Sequence, residues 1–234
     1  MSTSGRADRV DRVDYAGEGL SEEELAPTPW QQASRWVGEA DQRGRESADV
    51  PEPRALSVAT VDASGAPNVR TVLMRFFDER GPGFVSSTDS TKGVELHGDP
   101  QVAVALTWPA MFRAIRFRGV VEFVERDEVT AYWASRPWAS RISAWASHQS
   151  APASGRRQLE DDYDRYALRF PDHGRPDDVP VPETWVGYRV RCREVEFWAG
   201  RRNRLHDRLV FASVSGDPAG LDDAHAWTVT RRQP

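Results

Sequence analysis

From residues 28 to 40 the apolar side chains Trp30, Ala33, Trp36, Val37 and Ala40 recur at intervals of three and four. That spacing lines one face of a helix. Pro29 suits its first turn, and Gly44 stands just past its expected end. The period then changes. "RALSVATVD", "NVRTVLMRFF" and "FVSS" read as strands, separated by the turns "ASGAP" and "DERGPG". "DSTKGVELHGDP" reads as a short helix that stops before Pro100, and "QVAVALTW" and "RAIRFRGVVEFVE" as two more strands. Helical spacing returns over residues 127–136, resumes after Pro137 through Trp145, and forms a long amphipathic helix ending near Phe170. A Pro-rich connector, "PDHGRPDDVPVPETW", leads back to β-type runs: "WVGYRVRCREVEFW", "RLHDRLVFAS" and "AWTVTRR". Tight turns join most of these strands with no helix between them. The expected class is therefore mainly β with peripheral helices (α+β), an antiparallel meander or barrel and not a doubly wound sheet. Residues 1–26 are polar and charged and read as a flexible N-terminal tail, with residues 27–234 as one domain.

Composition narrows the function. The formal net charge of −5 argues against a general nucleic-acid binder. Cys192 is the only cysteine, which rules out an intrachain disulfide and a cysteine-based zinc cluster. No apolar run approaches the roughly 18 residues of a membrane span, and the N-terminus lacks the apolar core of a secretion signal. A cytoplasmic protein without membrane or nucleic-acid partners is expected. The dinucleotide fingerprint, the Walker loop, HExxH and GxSxG are all missing. The five histidines show no metal-ligand spacing.

What remains is a set of basic residues on strands. Arg70 and Arg75 flank "TVLM", and Arg113, Arg116 and Arg118 punctuate a later strand. In "RLHDR", Arg204, His206 and Arg208 occupy every second position, so a strand would put all three on one face. That face is either a solvated edge or a site for a dianion. "SSTDSTKG" places Ser, Thr and Lys at a helix start, where free N–H groups favour a phosphate. Tyr132, Arg136 and Ser140 stand four apart, on one helical face if the helix survives Pro137. They form either a second anion clamp or a wet polar face. Two phosphate clamps on an antiparallel barrel suit a phosphorylated flavin beside a phosphorylated substrate.

The segments "SRPWASRISAWASHQS", "WVGYRV", "VEFWAGRRNRLHDRL" and "WTVTRRQP" resemble the pyridoxamine 5′-phosphate oxidase family. The likeness runs from about Pro29 to the C-terminus. It implies an FMN-binding split β-barrel of antiparallel Greek-key type, assembled as a homodimer with FMN at each of two subunit interfaces. By that resemblance Arg70 and Lys92 are flavin phosphate ligands, and Val85 and Ser86 lie on a strand that touches the cofactor. Gln149 and Ser150 reach the flavin from the partner chain, and Trp198 and Arg208 add late-strand contacts. Arg75 counts toward both flavin and substrate. With Tyr132, Arg136 and Ser140 it clamps the substrate phosphate. Arg204 and His206 lie over the bound pyridine as the catalytic pair, although a neutral structural role for His206, bonded to Asp207 or the backbone, is the competing reading.

The activity implied is FMN-dependent oxidation of pyridoxine or pyridoxamine 5′-phosphate to pyridoxal 5′-phosphate. A hydride passes from C4′ to flavin N5, dioxygen is the acceptor and hydrogen peroxide the second product. Two rivals are an oxidase of a specialised metabolite such as a phenazine precursor, and a non-catalytic binder of flavin, haem or pyridoxal phosphate. Three positions depart from the usual pattern. Arg75 stands where the family commonly has Lys, keeping charge but changing reach. Thr91 replaces an Arg, removing a phosphate contact worth about 1.5–3 kcal/mol. Ala114 replaces a Gln, removing an amide near the flavin.

Overall fold

The computed structural model describes residues 15–234. In chain order, α1 (Pro29–Glu46), β1 (Ala55–Val61), β2 (Pro67–Leu73), β3 (Phe76–Asp78), β4 (Gly81–Ser87), α2 (Thr91–Gly98), β5 (Gln101–Trp108), β6 (Arg113–Phe123), α3 (Arg126–Ser135), α4 (Trp138–Ala146), α5 (Arg156–Arg169), β7 (Trp185–Ala199), β8 (Asp207–Ser213) and β9 (Trp227–Arg231) make up the regular structure of the described residues, with three short 3-10 turns between them. Counted without those turns, they are five helices and nine strands.

Thr28 caps α1, its hydroxyl accepting from the Gln31 N–H. The face expected from the spacing, Ala33, Trp36, Val37 and Ala40, is buried against the barrel. The helix does not stop before Gly44 but runs to Glu46. A Cβ at Gly44 would lie 2.8 Å from the Val50 carbonyl oxygen, so this glycine permits a close crossing of the following loop.

Among the described residues every strand pairing is antiparallel, and the order is β2-β1-β5-β6-β7-β4-β3, with β8 added to β7 and β9 to β8. The two ends of that order, β2 and β3, are consecutive in the chain. The single strand expected over "NVRTVLMRFF" is thus two, because the chain changes partner within it. Met74 N–H donates to the Arg54 carbonyl on the β1 side, and Arg75 N–H to the Gly83 carbonyl on the β4 side. This kink curls the sheet into a split barrel.

β7 is the longest strand and changes partner along one edge. Trp185 to Arg189 pair with β4, while Glu194 to Ala199 pair with β8. The register against β6 slips between Arg118 and Gly119, where Arg193 bulges out. The slip moves the core-facing set from Tyr188, Val190 and Cys192 to Val195, Phe197 and Ala199. Cys192 is fully buried there, and burial pushes its thiol pKa well above the ordinary value.

α3, α4 and α5 pack as a second layer around Val129, Trp133, Ile142 and Trp185. The helix does not survive Pro137. α3 ends at Ser135, and Arg136 adopts an extended backbone (φ −75°, ψ 144°), as the residue before a proline must. The strand expected over "RLHDRLVFAS" begins only at Asp207. Asn203 and Arg204 take left-handed backbones (φ 56° and 62°) in a 3-10 turn, so the alternating face of Arg204, His206 and Arg208 does not form. Of the stretch expected as a tail, residues 1–14 lie outside the described residues. Residues 15–26 run along the barrel, with Leu20 buried and its N–H donating to Asp207 at 2.9 Å.

Candidate functional site

Lys92 follows the first position of α2, whose cap is the Ser90 side chain accepting from the Gly93 N–H. The lysine is buried, yet no carboxylate pairs with it among the described residues. Its ammonium donates to Ser86 Oγ and to Gln149 Oε1, each at 3.0 Å. Burial, then the charge of Arg70, hold its pKa below the usual lysine value, with Glu95 pulling the other way. A desolvated cation among neutral oxygens is a seat for an anion. Gln149 therefore meets Lys92 and Ser86 of its own chain, although the resemblance assigns it to the partner's site. Ser150 follows it in a left-handed backbone (φ 74°), and both residues are exposed on a cleft of about 1230 Å³. Val85, half-buried on β4, pairs with Gly187.

Arg70 is differently engaged. It pairs with the buried carboxylate of Glu95 at 2.8 Å, and its other terminal nitrogen donates to Thr60 and to the Val58 carbonyl. Thr60 and Asn68 also donate to Glu95. Burial alone would raise the Glu95 pKa, but these hydrogen bonds and Arg70 hold it below the usual value.

The second group lies on the α3 side. Arg75 Cζ lies 5.8 Å from the Tyr132 ring centre. Arg136 stacks on Trp133 and Trp185 at 5.3 and 5.1 Å, and its Nη1 is buried without a hydrogen-bond partner among the described residues. Burial, together with the like charges of Arg75 and Arg141, lowers the Arg136 pKa. Arg75, Tyr132 and Arg136 come together although the helix breaks. Half-buried Ser140 lies in the first turn of α4, where its N–H donates to the Pro137 carbonyl.

The third group stands at the far end of β7. Trp198 and His206 rings are 4.9 Å apart, and Tyr15 closes on both at 5.9 and 5.1 Å. His206 Nδ1 accepts from the Arg201 N–H at 3.1 Å, closing the turn between β7 and β8. That bond assigns the proton of the neutral ring to Nε2. Arg204 is exposed in the turn. Arg208 pairs with buried Glu196 at 2.6 Å, and Arg116 binds the same carboxylate. Sequence reasoning missed Tyr15, which it left in the tail. The only signal was one aromatic residue in a polar stretch.

Along β7, Gly187, beside Val85, and Trp198 are 11 residues apart. That is roughly 36 Å of strand, far longer than a mononucleotide. The groups that the resemblance assigns to one flavin therefore stand far apart along this strand within one chain.

Residues 45–170 match the family described as pyridoxamine 5′-phosphate oxidase, and residues 185–234 its pyridoxine 5′-phosphate oxidase C-terminal dimerisation region. The pyridoxine/pyridoxamine 5′-phosphate oxidase of Kineococcus radiotolerans is 45% identical over 223 residues, covering 95% of this chain and 97% of that one. The protein of the same name from Streptomyces avermitilis is 40% identical, covering 95% and 94%. Among solved structures, PhzG from Burkholderia lata 383, in complex with tetrahydrophenazine-1-carboxylic acid, superposes with a TM-score of 0.78 at 28% identity, covering 94% of this chain and all of that one. A pyridoxamine 5′-phosphate oxidase-related, FMN-binding protein from Nostoc punctiforme shares the fold, with a TM-score of 0.64 at 20% identity over 90% of this chain and 98% of that one. With family matches over residues 45–170 and 185–234 and relatives at 40–45% identity across nearly its whole length, the chain belongs to the pyridoxamine 5′-phosphate oxidase family.

Proposed function

We propose that the protein is an FMN-dependent oxidase of pyridoxine 5′-phosphate and pyridoxamine 5′-phosphate, working as a homodimer in the cytoplasm, with dioxygen as acceptor. One observation carries the substrate assignment: the buried, unpartnered Nη1 of Arg136, flanked by Arg75 and Tyr132. Like charges held together without a counter-ion cost free energy that a bound phosphate dianion removes. The FMN phosphate suits Lys92, whose desolvated ammonium also lacks an ionic partner. Lys92 and Ser86 would hold the phosphate of FMN, which would supply two-electron redox chemistry with dioxygen as the final acceptor.

The chain's own residues bind and orient. Arg75, Tyr132, Arg136 and Ser140 fix the substrate phosphate, and with it the distance from phosphate to reacting carbon. Trp198 and Arg208, from the other copy, flank the ring region beside Arg204 and His206. His206 is held by the Arg201 N–H, so its role is orientation, and Nε2–H is the donor it presents. Of the departures, Thr91 is exposed at the first turn of α2, and Ala114 lies opposite Trp198 in the sheet. A specialised-metabolite substrate is less supported. The relatives at 40–45% identity carry the phosphate-oxidase name, and PhzG is similar at 28%.

The test is turnover under air with saturating FMN and pyridoxine 5′-phosphate. Pyridoxal 5′-phosphate and hydrogen peroxide should appear in equal amounts, and Arg136→Ala should lower kcat/KM by roughly 10- to 100-fold, the range for losing a charge-assisted contact. Bound flavin without product would move the assignment to another substrate.

A further inference from the structure

Arg189, on β7, is only 1% exposed. A guanidinium at that depth persists only where its charge is met. Its Nη1 donates to Asp78 Oδ1 at 2.7 Å and to the Gly81 carbonyl at 3.2 Å, and its Nη2 to Glu128 Oε2 at 3.0 Å. Asp78 ends β3, and Glu128 lies in the first turn of α3. Arg80 bridges the same two carboxylates from outside, at 2.6 and 2.7 Å. Arg189 Cζ also lies 5.8 Å from the Phe76 ring centre, and Phe76 lies 5.9 Å from Tyr132. Gly83 and Gly187 leave room for Phe76, since a Cβ on either would come within 3.1 Å of it.

The consequence is geometric. β3 starts one residue after Arg75. α3 carries Tyr132 one turn beyond Glu128 and ends at Ser135, one residue before Arg136. The anion-facing groups therefore come from two elements, and Arg189 ties those elements together without touching the groups themselves. We propose that Arg189 is a positioning residue: through Asp78 and Glu128 it sets the spacing between Arg75 and the Tyr132–Arg136 pair, and so the preference for a phosphorylated over an unphosphorylated ring. This rests on the clamp reading given above.

Arg189→Met, in the flavin-loaded dimer, is the test. Arg80 still neutralises Asp78 and Glu128 there, and Arg80→Met is the control that keeps the inner clasp. The KM for pyridoxine 5′-phosphate, and the Kd of pyridoxal 5′-phosphate by calorimetry, should each rise roughly tenfold, the scale of a small misplacement of binding groups. Flavin content and kcat/KM for unphosphorylated pyridoxine should hold, and Arg80→Met should match wild type. Should Arg189→Met fail to fold, Glu128→Gln cuts only the α3 link, and the same shift in the same direction is expected. Unchanged KM and Kd, or an equal loss for both ring substrates, overturns the positioning role alone. A wild-type protein that neither binds nor oxidises pyridoxine 5′-phosphate overturns the clamp reading, and the positioning role with it.

Discussion

Lys92 is buried, and its charged form is disfavoured by that burial and then by Arg70. The sign follows. Its folded pKa lies below 10.5, so the fold gains stability as pH rises through that depressed value. A bound phosphate reverses the preference, because it needs the ammonium. FMN affinity, measured by flavin fluorescence, should therefore fall with rising pH at a point below 10.5. Lys92→Met should flatten the profile and weaken binding by roughly 10- to 100-fold at neutral pH. A flat wild-type profile would sink the assignment. Lys92 and Arg136 were legible in the sequence because their neighbours, a helix start and an X-Pro break, are local. Tyr15, Arg189 and Glu196 were not, because their partners, His206, Asp78, Glu128 and Arg208 in turn, are chosen by packing of distant segments.

Elements were legible where the period was long and missed where the chain changes partner. The α1 face and nearly every strand follow the pattern. The β2–β3 split and the late start of β8 depend on register and on left-handed residues that no alternation of side chains encodes. The clasp between β3 and α3 makes a prediction at this scale. Burial would raise the Asp78 pKa, but Arg80 and Arg189 outweigh it and hold it low; Arg80, first, lowers that of Glu128. Depressed carboxylate pKa values give stability that is full above the unfolded values, 3.8 and 4.5, and lost as pH falls through the folded ones. Near-ultraviolet dichroism, which reports the Trp133–Trp185 packing, should hold to below pH 4.5 and then fade. Arg80→Met should move that fading to higher pH, and an unmoved transition would count against the clasp.

At the scale of the molecule, the proposed site takes Lys92 from one copy and Trp198 from the other, as their separation along β7 suggests. Lys92→Met and Trp198→Ala dimers, unfolded and refolded as a mixture and assayed at an FMN concentration too low to load either variant alone, should regain about a quarter of the wild-type sites, since half the dimers are mixed and each holds one intact site. No recovery would mean that both residues serve a site within one chain. The barrel class was legible from tight turns between strands. The second copy was not, because nothing in one chain's pattern records which surfaces its twin will cover; only the resemblance supplied it.

The double partnering of β7 also governs how the chain is made. Val85 must wait for Gly187, and the inner edge of β6 waits for the same strand. At roughly 5–20 residues per second, about 5–20 s of translation pass with the β4 edge unpaired, and a shorter time with the β6 edge unpaired as well. The two matched segments, 45–170 and 185–234, divide the barrel between β6 and β7. They are therefore not separable folding units, and a ribosome stalled between them carries an open sheet that invites association with its neighbours.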